Sequence, residues 1–159
     1  MTSTRWRART IAAHGMTLDL VDGVEPTEGD GGGQHFVIQR RDGSVAAVRV
    51  GADVTLAWWR MNFGERKLAF GAEQTFRVCG RDGKRQEVSV PGETATGIVP
   101  DGSGRIGHLD EHTPAEVHIA VSGTTASGVP FVMTWVVSAD RRDALRIDEE
   151  HFFGSVRCG

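Results

Sequence analysis

Three groups of residues in this chain could carry chemistry. The densest is His108-x-Asp110-Glu111-His112-x-x-x-Glu116-x-His118. Imidazole and carboxylate are the side chains that ligate divalent metals or move protons near neutral pH. On a strand, His108, Asp110 and His112 would share one face, and so would Glu116 and His118. A metal-dependent barrel enzyme using His108, His112, Glu116 and His118 is one reading. A solvated polar loop leading into a strand, with no metal held, is the other, and it is the one adopted. The second group is Asp148-Glu149-Glu150-His151. As part of a strand, Glu149 and His151 would point the same way as Ile147 and Phe153. On an interior face Glu149 would be desolvated and would hold its proton to higher pH, as a general acid must. In the opposite phase the run is surface charge. Glu149, His151 and His118 are the candidate catalytic residues.

The third group is apolar. Phe131, Met133, Trp135 and Val137 share one face of a strand-like run, and Trp59, Met61 and Phe63 share a face of another. Indole gives wide contact and an N–H that can hold a carbonyl, while methionine adapts to irregular shapes. Trp59, Met61, Phe131, Met133 and Trp135 are therefore candidates to line a cavity for an apolar organic molecule. Plain core packing is the alternative.

Other mechanisms lack their residues. The chain has no G-x-S-x-G elbow, no Walker loop and no G-x-G-x-x-G after a strand, and Tyr is absent. Gly31-Gly32-Gly33 follows acidic residues, which would repel phosphate. The histidine cluster departs from the His-x-His-x(3,4)-Glu pattern of cupins. Its two-residue His pair is missing, and no cupin residue is carried onto it. No cofactor is expected.

The elements that must position these groups are mostly strands. Gln34-x-Phe36-x-Ile38-x-x-Arg41-Asp42-Gly43 is echoed by Gln74-x-Phe76-x-Val78-x-x-Arg81-Asp82-Gly83, and each runs on into alternating valines. Alternation around Asp-Gly predicts two hairpins with tight turns, Gln34–Arg40 with Ser44–Val50 and Gln74–Cys79 with Arg85–Val90. They are read as two hairpins sharing turn chemistry rather than as a repeat. Thr4–Ile11, with Arg5, Arg7 and Arg9 on one side, predicts a charged edge strand. Met16–Val21 predicts another strand, and Glu25–Gly33 a loop. Val54–Phe63 predicts a strand covered on both faces. Pro91–Thr113 predicts a long loop, and Glu116–Ser122 with Val129–Ser138 a third hairpin. Ala139–Ala144 leaves room for one helical turn before a last strand, Leu145–Val156.

These make about nine strands in an all-β, single-domain chain spanning residues 1–159. A meander of this length predicts an antiparallel up-and-down β-barrel, the architecture of calycin-like and allene-oxide-cyclase-like barrels, with a β-sandwich as the alternative. That comparison is one of architecture alone.

Composition sets outer bounds. The chain has 159 residues, 39% apolar and 25% charged, with a formal charge of -3. An acidic balance with scattered cations speaks against nucleic acid as a partner. No apolar run has membrane-spanning length. The N-terminal stretch carries positive charge with no apolar run behind it, a poor secretory signal. Cys79 and Cys158 match no metal or redox spacing, and reduced thiols in a cytoplasmic protein are expected, with a bridge between them as the exception. The function expected is binding of an apolar small molecule inside the barrel, gated by the Pro91–Thr113 loop. A cofactor-independent cyclase or isomerase is its enzymatic form. A non-catalytic interaction or assembly module, a homodimer being one form, is the alternative.

Overall fold

Alternation of buried and half-buried residues runs unbroken through Ser44–Val50, a strand at the middle of the large sheet. The computed structural model describes residues 4–11, 14–24, 27–30, 35–41, 43–100, 102 and 106–159. In chain order the elements are β1 (Trp6–Ile11), β2 (Met16–Val21), β3 (Thr27–Asp30), β4 (His35–Arg41), β5 (Ser44–Val50), α1 (Leu56–Met61), β6 (Ala69–Phe70) and β7 (Gln74–Val78). They continue with β8 (Arg81–Val90), β9 (Glu93–Pro100), β10 (Ile106–Thr113), β11 (Glu116–Thr124), β12 (Pro130–Ser138), α2 (Arg146–Gly154) and β13 (Arg157–Cys158).

A large antiparallel sheet runs β3-β4-β5-β12-β11-β8-β6, with β7 also paired to β8. A second sheet has the order β1-β2-β13, and β9 pairs only with β10 among the described residues. The all-β expectation holds, with antiparallel sheets throughout. The closed up-and-down barrel is not confirmed. Among the described residues no pairing joins β3 to β6 or β7, and β5-β12-β11-β8 is not meander order.

The two faces of the large sheet are covered differently. On the inner face Ala46, Val48 and Val50 of β5, Ile119 and Val121 of β11, and Phe131, Met133, Trp135 and Val137 of β12 form one core. Met16, Leu18 and Leu20 of β2 close it from the second sheet, together with Phe152 and Phe153 of α2. Sheet packed on sheet is closer to the sandwich alternative than to the barrel. Gln39 is buried at the junction, where its Oε1 accepts a 2.8 Å hydrogen bond from the Val21 backbone N–H. On the outer face α1 and the turn that follows it cover Val88, Ala120 and Val132 through Leu56, Trp59 and Phe63.

Six expectations are corrected. Val54–Phe63 is helical, not a strand: Thr55 Oγ1 accepts from the Trp58 N–H at 3.2 Å as an N-cap, and Leu56, Trp59 and Phe63 fall on one helical side. Leu145–Val156 is also mainly helical. Leu145, Glu149, Phe152, Phe153, Ser155 and Val156 are its buried residues, and Leu145, Glu149, Phe152, Phe153 and Val156 among them follow helical spacing rather than alternation. Pro91–Thr113 holds the β9–β10 hairpin, paired from Thr113↔Glu93 to Ile106↔Pro100. The Glu25–Gly33 loop holds β3; Gly31, Gly32 and Gly33 lie outside the described residues.

The fifth correction concerns the second Asp-Gly pair. Its hairpin turns at Cys79-Gly80, both in the left-handed region (φ 54° and 71°), and Asp82-Gly83 lies inside β8. Gly83 is needed there for close approach, because a Cβ would collide with the Ser122 carbonyl oxygen and meet Val78 Cγ1 at 2.8 Å. The first hairpin is placed as expected, closing with Arg41↔Ser44. The expected reduced thiols are instead bonded: Cys79 and Cys158 form a disulfide that ties the β7–β8 turn to β13. Among the described residues no helix is long and apolar enough to cross a membrane.

Candidate ligand-binding cleft

A six-residue helix cannot cover the outer face of so wide a sheet, and the uncovered strip beside α1 is where side chains of mixed chemistry meet. Trp59 is 5% exposed and stands edge-on to Phe63, with ring centroids 5.2 Å apart. Phe63 in turn meets the His118 ring at 5.1 Å. Arg60 fixes the helix from its other flank. Its Nε donates to Gln86 Oε1 at 2.7 Å, and its guanidinium pairs with Glu73. Gln86 passes the link on through a 2.8 Å bond to the Gly71 carbonyl.

Between α1 and the sheet lies a cleft of about 290 Å³. Trp58, Trp59, Asn62 and Phe63 form its helical wall, with Arg66 just beyond. Val132, Thr134 and Val136 of β12 make its floor, flanked by Arg49 of β5 and His118 of β11. Alternation along β12 explains the division, since these three point outward while Phe131, Met133 and Trp135 point to the inner core. The Arg49 guanidinium lies over the Trp58 ring, 5.3 Å from its centroid, in cation–π range. His118 Nε2 shares a 2.7 Å hydrogen bond with Glu116 Oε2. The chemistry available is recognition: aromatic walls, an apolar floor and cationic groups at the rim.

The candidate catalytic residues do not converge. His118 is in this cleft. Glu149 is on α2, over the opposite face of the sheet, and is buried at 2% exposure. It lies 3.4 Å from Arg142 Nε and 3.7 Å from Arg85 Nη2. Burial pushes its carboxyl up, and the two arginines oppose that. Glu87 of β8 is the better-served acid of this network. Both its oxygens receive Arg142, at 2.9 and 2.6 Å, and Arg85 adds a third bond at 2.9 Å. These bonds hold the Glu87 carboxyl down at about 2, against the cost of its partial burial. Arg142 is raised in return, first by its bonds to Glu87. His151 lies elsewhere again. It stacks flat on Trp6 at 4.1 Å, and its Nε2 is 2.9 Å from Asp19 Oδ2. Asp19 Oδ1 accepts from Arg157 at 3.1 Å. This group holds α2 to the second sheet.

The candidate ligand residues are divided as well. Phe131, Met133 and Trp135 are packed into the inner core, Trp135 against Phe152 at 5.8 Å. The Trp135 indole N–H is buried with no hydrogen-bond partner among the described residues. Trp59 lines the cleft. Met61 is 79% exposed on the far side of α1, since a helix turns residues 59 and 61 away from each other where a strand would align them. Of the histidine cluster, His112 Nδ1 is 3.0 Å from Thr94 Oγ1 on the β9–β10 hairpin, and the side chains of His108 and Asp110 lie outside the described part. No group of three or more metal-ligating side chains meets among the described residues.

Arg49, Trp58, Asn62 and Arg66 were not anticipated. Their signal was Thr55 as an N-cap with Trp59 and Phe63 four apart, a helical spacing that would have joined the two aromatics and moved Met61 away.

No family model matches the chain, and no curated protein does. Two solved structures share the fold over nearly the whole chain. One is the cyanobacterial PsbP protein (CyanoP) of Synechocystis, at TM-score 0.60 and 13% identity, covering 99% of this chain and 95% of that one. The other is the Saccharomyces cerevisiae Ran-binding protein Mog1p, at TM-score 0.55 and 10% identity, covering 98% and 96%.

Proposed function

We propose that this chain is a non-catalytic binding module that receives a small, largely apolar molecule in the cleft between α1 and the outer face of the large sheet. The supporting observation is the cleft itself. Its volume, about 290 Å³, is near the lower limit for small-molecule sites, and it joins apolar floor, aromatic wall and a few polar groups as such sites do. The apolar guest of the sequence reading thus moves from a barrel interior to a surface cleft. The cyclase or isomerase reading loses support, because Glu149, His151 and His118 sit in three separate environments, each engaged by its own polar partners. The fold shared with the Ran-binding protein Mog1p is compatible with a binding role and carries no partner across.

The compartment proposed is an oxidising one. A disulfide persists where thiols are not kept reduced, which displaces the ground for the cytoplasmic expectation.

Calorimetric titration with the neutral aromatic probe 2-naphthol tests the cleft. Saturable one-to-one binding is expected, and Thr134→Phe, which fills the floor, should abolish it with the circular dichroism spectrum retained. Absence of saturable binding, or binding undisturbed by Thr134→Phe, would overturn the proposal.

A further inference from the structure

We infer that the cleft selects aromatic rings that carry a hydroxyl group over rings of the same shape whose oxygen has no hydrogen to donate. This rests on the cleft being the binding site. Its floor is apolar except at Thr134, which stands between Val132 and Val136 on β12. Thr134 is half-buried, and its hydroxyl has no hydrogen-bond partner among the described residues. Its neighbours across the sheet are both alanines, Ala47 on β5 and Ala120 on β11, so neither adjacent strand lays a long side chain beside the hydroxyl.

Other polar groups of the lining are already committed. Arg49 is engaged at the Trp58 ring, and Asn62 Nδ2 donates to the Trp58 carbonyl oxygen at 3.0 Å. His118 is committed at one nitrogen only. Its Nε2 lies 2.7 Å from Glu116 Oε2, and a carboxylate accepts, so in the neutral ring Nε2 holds the proton and Nδ1 is an acceptor without a donor. The ring is diagonal to Thr134, since His118 pairs with Val136 across the β11–β12 ladder while Thr134 pairs with Ala120. Diagonal neighbours on one face of a sheet lie about 7 Å apart, close enough for one ligand oxygen to reach both. A hydroxyl there accepts from Thr134 and donates to His118 Nδ1 while its ring rests on Val132 and Val136. An ether oxygen accepts from Thr134 but gives Nδ1 nothing, and its ring has displaced the water that would have served that nitrogen.

The test pairs 2-naphthol with 2-methoxynaphthalene on the intact, disulfide-bonded protein. Naphthol is expected to bind about tenfold tighter or more. Thr134→Val keeps the shape of the floor without its hydroxyl, and His118→Phe keeps an aromatic ring beside Phe63. Each should weaken naphthol about tenfold and leave the ether within about twofold of its original affinity. Thr134→Ser, which restores a hydroxyl, should keep the preference. Equal affinities in the unaltered protein, or a preference that survives both Thr134→Val and His118→Phe, would overturn the inference and leave the cleft standing. Failure of both compounds to bind would remove the cleft reading, and the inference with it.

Discussion

Replacing Glu87 with glutamine removes the charge around which Arg85 and Arg142 are gathered while keeping the side-chain shape. In the fold this carboxyl is held at about 2 against an ordinary 4.5. A displacement of that size corresponds to about 3 kcal/mol if it acted without solvent. A third of the side chain, 34%, remains in water, so screening reduces the figure to about 1–2 kcal/mol. The direction with pH follows from the sign. Glu87 stays ionised in the folded chain to lower pH than in the unfolded one, so its contribution is full above about pH 4.5 and drains away as pH falls toward 2. Urea unfolding followed by tryptophan fluorescence, at pH 7, 4.5, 3.5 and 2.5, measures it. Glu87→Gln should be less stable than the parent by about 1–2 kcal/mol at pH 7, and the gap should close on acidification. A gap that stays constant down to pH 2.5, or no gap at pH 7, would refute the reasoning. Glu149 is the one neighbour able to blur the result. With Glu87 neutral it has both arginines to itself, and the double variant Glu87→Gln/Glu149→Gln measures that coupling.

Glu149 should behave with the opposite sign. Its folded carboxyl holds a proton more tightly than the unfolded one, so its ionised form weighs against the fold at higher pH. Glu149→Gln should therefore match or exceed the parent's stability at pH 8, with the difference vanishing below about pH 4.5, as urea midpoints would show. Cys79→Ser opens a loop spanning a sequence separation of 79 and should cost about 2–5 kcal/mol by urea unfolding, a loss the parent reproduces when reduced. Thr55→Ala removes the N-cap bond to Trp58 and should cost about 1 kcal/mol. Gly83→Ala places a methyl against the Ser122 carbonyl and should lower the thermal midpoint by several degrees at least.

Strands whose two faces differ were readable from residues alone. β2 and β5 alternate because one side meets a core and the other is more open, while β12 was readable from its apolar run although Phe131, Val132 and Met133 are all buried. Both helices were misread, for a shared physical reason. Each is short, and each has aromatic neighbours in adjacent positions, Trp58-Trp59 and Phe152-Phe153, which fit alternation and helical spacing about equally over so few residues. Caps would have decided the first, and the acidic first turn with His151 in the last turn would have favoured the second. The cleft was out of reach because it joins β5, α1, β11 and β12, whose order in the sheet depends on contacts between distant segments. His118 and Trp59 were singled out separately, yet nothing local in the chain brings them to one place. The Asp82-Gly83 pair was misleading because a glycine that yields space to a neighbouring strand looks, in one dimension, like a glycine that turns the chain.

The Cys79–Cys158 bond also bears on the order of events during biosynthesis. Its second sulfur is made 79 residues after the first, and in the finished fold the bond joins the β7–β8 turn of the large sheet to β13 of the smaller one. Oxidation is therefore expected to follow docking of the two layers, and a bond formed earlier in refolding would show the reverse order. The fraction of chains unreactive to a thiol label during refolding would count, molecule by molecule, those in which the two layers have found each other.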